Sequence, residues 1–90
     1  MTKTITLETP LKIGDTEVTE ITLRKPAAGE LRGLNLTDLL QMDVVATIKL
    51  LPRISTPTLT EQHAAMLDPA DLTSLAKEVS GFLLPRWALA

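Results

Sequence analysis

The chain of 90 residues contains no cysteine and no tyrosine, and has only one tryptophan, one phenylalanine and one histidine. The absence of cysteine excludes disulfide bonds and thiolate metal sites, and it fits a reducing compartment. A single histidine, His63, cannot supply the usual nitrogen ligands of a zinc site. Because aromatic rings are so scarce, the chain also offers little on which nucleic-acid bases could stack.

The chain also lacks an excess of either charge and any long apolar run. Nine Lys and Arg stand against eleven Asp and Glu, a net charge of −2, which gives no electrostatic reason to expect a phosphate backbone as partner. No segment approaches the roughly 18 consecutive apolar residues of a membrane span. Residues 1–8 alternate polar and apolar side chains, unlike the continuous apolar core of a secretory signal. We therefore expect a soluble intracellular product with neither nucleic acid nor membrane as partner.

The first quarter of the chain predicts a β-hairpin. Apolar residues of one parity alternate with polar residues, Gly14-Asp15 interrupts the pattern as a turn, and the alternation then resumes with Ile21 and Leu23. Val18 has the other parity, so either a bulge lies near Thr19-Glu20 or Val18 belongs to the turn region. The apolar set of the first strand is Ile5, Leu7, Leu11 and Ile13.

From Pro26 onward the apolar spacing becomes helical. Pro26 suits the first position of a short helix or helical turn, and a second short helix follows within 35–42, capped by Asn35 or Thr37. Asp43 is the predicted cap of a third helix. Its inward face is predicted to be Val44, Val45, Ile48 and Leu51, with Pro52 ending it at Leu51.

The last third of the chain predicts a loop and the clearest helix. Residues 54–59 are predicted as a loop, and Thr60 as the cap of a short turn. Asp68 is a good N-cap, Pro69 a good first residue, and Asp71 lies in the first turn where the helix dipole favours a carboxylate. The apolar stripe of this helix is Leu72, Leu75, Ala76, Val79, Phe82 and Leu83.

Together these patterns predict an α+β fold, an N-terminal antiparallel β-hairpin followed by a small bundle of three to four short α-helices. One domain covers 1–90, with the hairpin at 1–25, the helical part at 26–84 and an apolar C-terminal tail at 85–90. No segment rich in glycine and serine divides the chain, so we expect a single domain.

No constellation of catalytic or metal-binding residues is visible. The serines lie in no nucleophile elbow, and Asp68 with Asp71 forms a helix cap rather than a calcium loop. We therefore predict no catalytic, metal or cofactor site and no enzymatic activity. The basic residues Arg24, Lys25 and Arg32 are interpreted as a solvated turn, or alternatively as a source of ion pairs with an acidic partner.

The C-terminal end is strongly apolar. Two interpretations stay open, because Trp87 and Leu89 could fold back onto a small core or be presented to another chain. The candidate partner-binding residues are Ile54, Phe82, Leu83, Leu84, Trp87 and Leu89.

Several short segments, in order along nearly the whole chain, resemble the tail assembly chaperones of contractile-tailed bacteriophages, the E-type proteins of P2-like phages and their Mu-like relatives. These segments are Leu23-Arg24-Lys25-Pro26, Gly29-Glu30-Leu31-Arg32-Gly33, Asp38-Leu39-Leu40-Gln41, Leu51-Pro52-Arg53-Ile54-Ser55, Leu67-Asp68-Pro69-Ala70-Asp71 and Phe82-Leu83-Leu84-Pro85. The resemblance implies a chaperone that binds the tape-measure protein and keeps it soluble while the tail tube assembles. It also implies a protein of the bacterial host cytoplasm, from a phage or prophage, that is absent from the mature virion.

Other partners and functions remain open at the level of sequence. The resemblance implies a frameshift-extended form of the same chain as a further partner, and a homo-oligomer is left open. The alternative function is a small prophage-encoded regulatory or adaptor module that binds another protein or DNA. A DNA-binding version is disfavoured, because the helix over 68–84 carries Lys77 as its single basic residue.

Overall fold

The computed structural model describes residues 2–85. Its elements are, in order, strands β1 (Thr2–Ile13) and β2 (Thr16–Arg24), a 3₁₀ helix (Ala28–Leu31), helices α1 (Leu36–Leu40) and α2 (Val44–Ile54), strand β3 (Ser55–Thr56), and helices α3 (Glu61–Ala65) and α4 (Pro69–Leu83). The predicted α+β class, with a hairpin followed by short helices, is confirmed.

The hairpin forms around a two-residue turn at Gly14-Asp15, where Gly14 has a φ of 61°. Such a turn needs a positive φ at its first position, which glycine adopts without steric cost. The register shifts between Thr6, which faces Glu20, and Leu11, which faces Val18. Residues 7–10 of β1 therefore lie opposite the single residue Thr19 of β2, and β1 bulges there. The bulge changes the parity of β2 relative to β1 and brings Val18 into the core.

The predicted end of α2 is wrong, and the loop predicted after it is wrong in part. The helix continues through Pro52 to Ile54, because a proline in the last turn removes a single hydrogen bond and the Ser55 N–H still donates to the Leu51 carbonyl. Residues 54–59 are also not all loop, since Ser55 and Thr56 pair with Leu23 and Thr22 as the third strand of the sheet.

The predicted inward face of α2 is correct at Leu51 and wrong at Val44 and Val45. Its buried residues are Ala46, Thr47, Leu50, Leu51 and Ile54, whereas Val44 and Val45 are 55% and 60% exposed. The phase follows the larger apolar group at the C-terminal end of the helix, since Leu50 and Leu51 bury more surface than the two valines could. Val44 and Val45 therefore face solvent at the N-terminal end.

The predicted caps of the later helices are confirmed. Asp43 accepts a hydrogen bond from the Ala46 N–H (3.0 Å), and Thr60 accepts one from the His63 N–H (3.0 Å). Asp68 caps α4 by accepting from the Ala70 N–H (2.9 Å), with Pro69 in the first turn. These caps fix where α2, α3 and α4 begin.

The hydrophobic core joins the inner face of the hairpin to the helices. Its fully buried members include Ile21 and Leu23 of the sheet, Leu39 of α1 and Leu75 and Val79 of α4. The predicted stripe of α4 is buried at Leu75, Ala76, Val79 and Phe82, and Leu72 and Leu83 lie at its partly exposed border.

Thr47 carries a hydroxyl in this core that has no hydrogen-bond partner, although the residue is only 1% exposed. An unsatisfied buried polar group costs about 1–3 kcal/mol. Replacing Thr47 with valine, which has nearly the same shape, is therefore expected to raise the free energy of unfolding by about 1 kcal/mol in denaturant titrations.

The matched control for Thr47 is Thr73→Val in α4. The Thr73 hydroxyl is exposed and donates to the Pro69 carbonyl (2.8 Å), so this change is expected to have little effect or to destabilise slightly. A loss of stability in Thr47→Val would show that the hydroxyl is satisfied in solution.

Candidate functional site

The residues predicted to contact a partner lie in three different environments. Ile54 and Phe82 belong to the hydrophobic core and are 2% and 6% exposed. Leu83 and Leu84 are half-buried at the end of α4. Trp87 and Leu89 lie outside the described residues, as does most of the predicted apolar tail. A contact role for these six residues stays a prediction.

The largest exposed apolar side chains lie elsewhere, at the junction of α1 and α2. Of the five large hydrophobic residues exposed within 2–85, four fall between positions 36 and 45: Leu36 (55%), Leu40 (43%), Val44 (55%) and Val45 (60%). We call these four residues the α1–α2 corner. The fifth, Met66, lies at the end of α3.

The backbone holds this corner in place from both sides. Leu39 is fully buried, and its carbonyl accepts a hydrogen bond from the Ser80 hydroxyl of α4 (3.0 Å). The Asp43 N–H donates to the Asp38 carbonyl (2.9 Å), and Met42 takes up a left-handed conformation with a φ of 60°. The chain therefore turns sharply between α1 and α2, and the last part of α4 lies beside α1.

Sequence reasoning missed the corner because it assigned Val44 and Val45 to the core. The phase of α2 gives a signal for Val45, which lies opposite the buried row of Thr47, Leu50 and Ile54. Val44 is seven residues before Leu51 and shares its side of the helix, so the sequence gives no signal for the corner as a whole.

Carboxylates border the corner. Asp38 and Asp43 line an open cavity of about 220 Å³ together with Asn35, Val45 and Lys49. Asp38 accepts a hydrogen bond from the Asn35 amide (3.4 Å), and Asp43 caps α2. Asn35 stands at the N-cap position of α1, but its side chain caps no backbone N–H.

Arg24, which belongs to the predicted basic turn, forms hydrogen bonds and an ion pair within the chain. Arg24 forms a two-pronged ion pair with Glu30 and also donates to the Arg53 carbonyl (2.9 Å). Arg53 in turn donates to the carbonyls of Glu30 (2.7 Å) and Arg32 (2.9 Å). Arg24 therefore joins the hairpin to the 3₁₀ helix and to α2, which leaves it engaged within the chain.

Hydrogen bonds from the Arg24 guanidinium and, to a smaller extent, from the Ala27 N–H lower the pKa of Glu30 to about 2. An unperturbed glutamate has a pKa of about 4.3, so the pair stabilises the fold fully above that pH and loses its contribution as the pH falls toward 2. The difference in melting temperature between wild type and Glu30→Gln is therefore expected to narrow between about pH 5 and pH 2. A difference that stays constant over this range would contradict the lowered pKa.

The remaining candidates have structural roles. The His63 ring nitrogen Nδ1 accepts a hydrogen bond from the Thr60 N–H (3.3 Å), which completes a capping box with the Thr60 hydroxyl. Over residues 2–85, no group of three or more His, Asp or Glu side chains is placed to hold a metal ion. In the same part of the chain, no helix has the length and apolar character needed to cross a membrane.

These features define a small acidic α+β protein with an exposed apolar corner, and comparison with known proteins gives its family. The model of the family described as "Phage tail assembly chaperone proteins, E, or 41 or 14" matches residues 4–84. The chain belongs to this family of phage tail assembly chaperones.

Two relatives come from Escherichia phage P2. The chain is 48% identical to tail assembly protein E over 81 residues, which cover 90% of this chain and 89% of that protein. It is also 48% identical to tail assembly protein E′ over 80 residues, which cover 89% of this chain but 56% of E′. No solved structure matches the chain significantly.

Proposed function

We propose that this protein binds the tape-measure protein of its phage and keeps that protein soluble until the tail tube encloses it. The observation that carries the proposal is the family match over residues 4–84, together with near full-length similarity to a P2 tail assembly protein. A tape-measure protein exposes long apolar helical faces before assembly, so a chaperone for it needs exposed apolar surface of its own.

The charge and surface of this chain suit such a role. The chain is weakly acidic, with a net charge of −2, and the α1–α2 corner offers apolar side chains to a partner. The role requires binding alone, so we propose that the protein acts without catalysis. We also propose that it works in the host cytoplasm and is left out of the finished virion, with an extended form related to E′ as a further partner.

Co-expression tests the function directly. The tape-measure protein encoded by the same phage is expressed alone, with this protein, and with an unrelated acidic protein of similar size. We expect it to become soluble and to co-purify only with this protein. An insoluble tape-measure protein in all three cultures would reject the proposal for the 90-residue form. Mass spectrometry of purified virions tests the exclusion from the particle.

The sole tryptophan gives a second readout of the same complex. Because the chain contains one Trp, fluorescence excited at long ultraviolet wavelengths reports on position 87 if the partner segment lacks tryptophan. A spectral shift on adding such a segment supports the predicted contact at the C-terminal end. An unchanged spectrum in a complex that forms would place the contact elsewhere.

A further inference from the structure

The α1–α2 corner uses apolar residues in a way that the fold itself does not require. The start of α2 buries the small side chain of Ala46 and the unpartnered hydroxyl of Thr47, while Val44 and Val45 remain in solvent. The phase set by Leu50 and Leu51 leaves positions 44 and 45 in solvent, where a polar side chain would serve the helix equally well. Two exposed valines at these positions therefore point to a role in binding.

Carboxylates outnumber basic side chains around the corner. Between positions 33 and 48 the sequence contains Asp38 and Asp43 but neither Lys nor Arg. Within the described part of the chain the only ion pair is Arg24 with Glu30, so neither carboxylate forms one. Lys49 lines the cavity that the two carboxylates share, so two negative charges lie beside one positive charge there. A partner that places Lys or Arg beside its apolar residues would complement this border.

The geometry of the corner suits a helix. Leu36 and Leu40 are four residues apart in α1, about 6 Å along the helix axis, which is the spacing of apolar residues at i and i+4 on a second helix. The sheet ends at β1 and β3, so the helical corner presents no strand edge to which an extended peptide could add.

We propose that the α1–α2 corner, bordered by Asp38 and Asp43, docks an amphipathic helix whose apolar stripe is flanked by lysine or arginine. This inference rests on the proposed function, because it takes that helix to be a segment of the tape-measure protein. The corner supplies the apolar contact, and the two carboxylates select the charge that borders it.

The apolar part of the proposal is tested with Leu40→Glu and Val45→Glu in the co-expression experiment. Both positions are exposed, so the variants are expected to melt within a few degrees of wild type. Their affinity for the partner should fall at least about tenfold, as expected for a residue at the centre of a contact. The matched control is Met66→Glu, which replaces an even more exposed side chain at 66% and should bind like wild type.

The charge part is tested with designed peptides. One amphipathic helix of about 20 residues carries leucines flanked by lysines, and a second carries the same leucines flanked by glutamates. The protein should bind the lysine peptide more tightly, and Asp38→Asn with Asp43→Asn should reduce that preference several-fold. Asparagine can still cap α2 at position 43. The control pair Glu17→Gln with Glu20→Gln changes the net charge equally on the exposed hairpin.

The outcomes separate this proposal from the function. If wild type fails to solubilise the tape-measure protein, the function fails. If wild type succeeds and the two corner variants succeed equally, the function stands and the corner is not the docking site. A wild-type dimer that becomes a monomer in Val45→Glu would assign the corner to a second copy of the chain. Equal binding of the two peptides would overturn the charge selection.

Discussion

Replacing Asp71 with alanine is expected to lower the free energy of unfolding by about 3 kcal/mol, since two charge-assisted hydrogen bonds are lost together. The Asp71 carboxylate is only 1% exposed, and it accepts the backbone N–H groups of Glu8 (2.7 Å) and Thr9 (3.0 Å). These amides lie in the irregular part of β1, where the register with β2 is broken. Without the carboxylate, the Glu8 and Thr9 N–H groups lose their acceptor in a part-buried environment, which destabilises the fold.

Denaturant and thermal unfolding measure this effect. For a domain of this size, about 3 kcal/mol corresponds to a fall in melting temperature of roughly 12–24 °C. Asp71→Asn keeps one acceptor oxygen and should lie between wild type and alanine. The matched control is Asp43→Ala, which removes the side-chain cap of α2, worth about 1 kcal/mol. If the alanine variants at 43 and 71 were equally stable, the hydrogen bonds from Asp71 to β1 would add nothing beyond an ordinary cap.

Replacing Phe82 with alanine is expected to cost about 3–5 kcal/mol, because Phe82 is 6% exposed in the core. The sequence predicts this residue as a partner contact, whereas the structure places it in the core. Stability and binding measurements together separate these two roles. If Phe82 is only a core residue, its replacement lowers the melting temperature and leaves the affinity of the folded protein for its partner unchanged. The comparison is Leu84→Ala at the half-buried end of α4, which should destabilise less.

The binding measurement belongs at a temperature where Phe82→Ala is still folded, as monitored by circular dichroism. Retained binding there would assign Phe82 to the core. Lost binding in the folded variant would instead support the contact predicted from sequence, with the side chain released from the core when the partner docks.

Much of the fold followed from local chemistry. The hairpin turn at Gly14 and the caps at Asp43, Thr60 and Asp68 are set by residues within three positions of one another, so the sequence shows them directly. The apolar period of α4 likewise survives in the structure.

Other features depend on partners far away in the chain. Asp71 was interpreted through the dipole of its own helix, but its hydrogen bonds reach residues 62 and 63 positions away. The valines at the start of α2 were assigned inward because valine favours burial, while the competing Leu50 and Leu51 set the helical phase. The exposed corner is the result of that competition, so the sequence pattern alone could not reveal it.

The bond between Asp71 and β1 also sets an order of events during synthesis. The hairpin is translated first, yet the amides of Glu8 and Thr9 obtain their acceptor only when the first turn of α4 has been made. A nascent chain can therefore form its two long strands early, but it cannot complete their hydrogen bonds until the first turn of α4 has left the ribosome. The hydrogen bonding of β1, the first strand, is therefore complete only when α4 has packed against it.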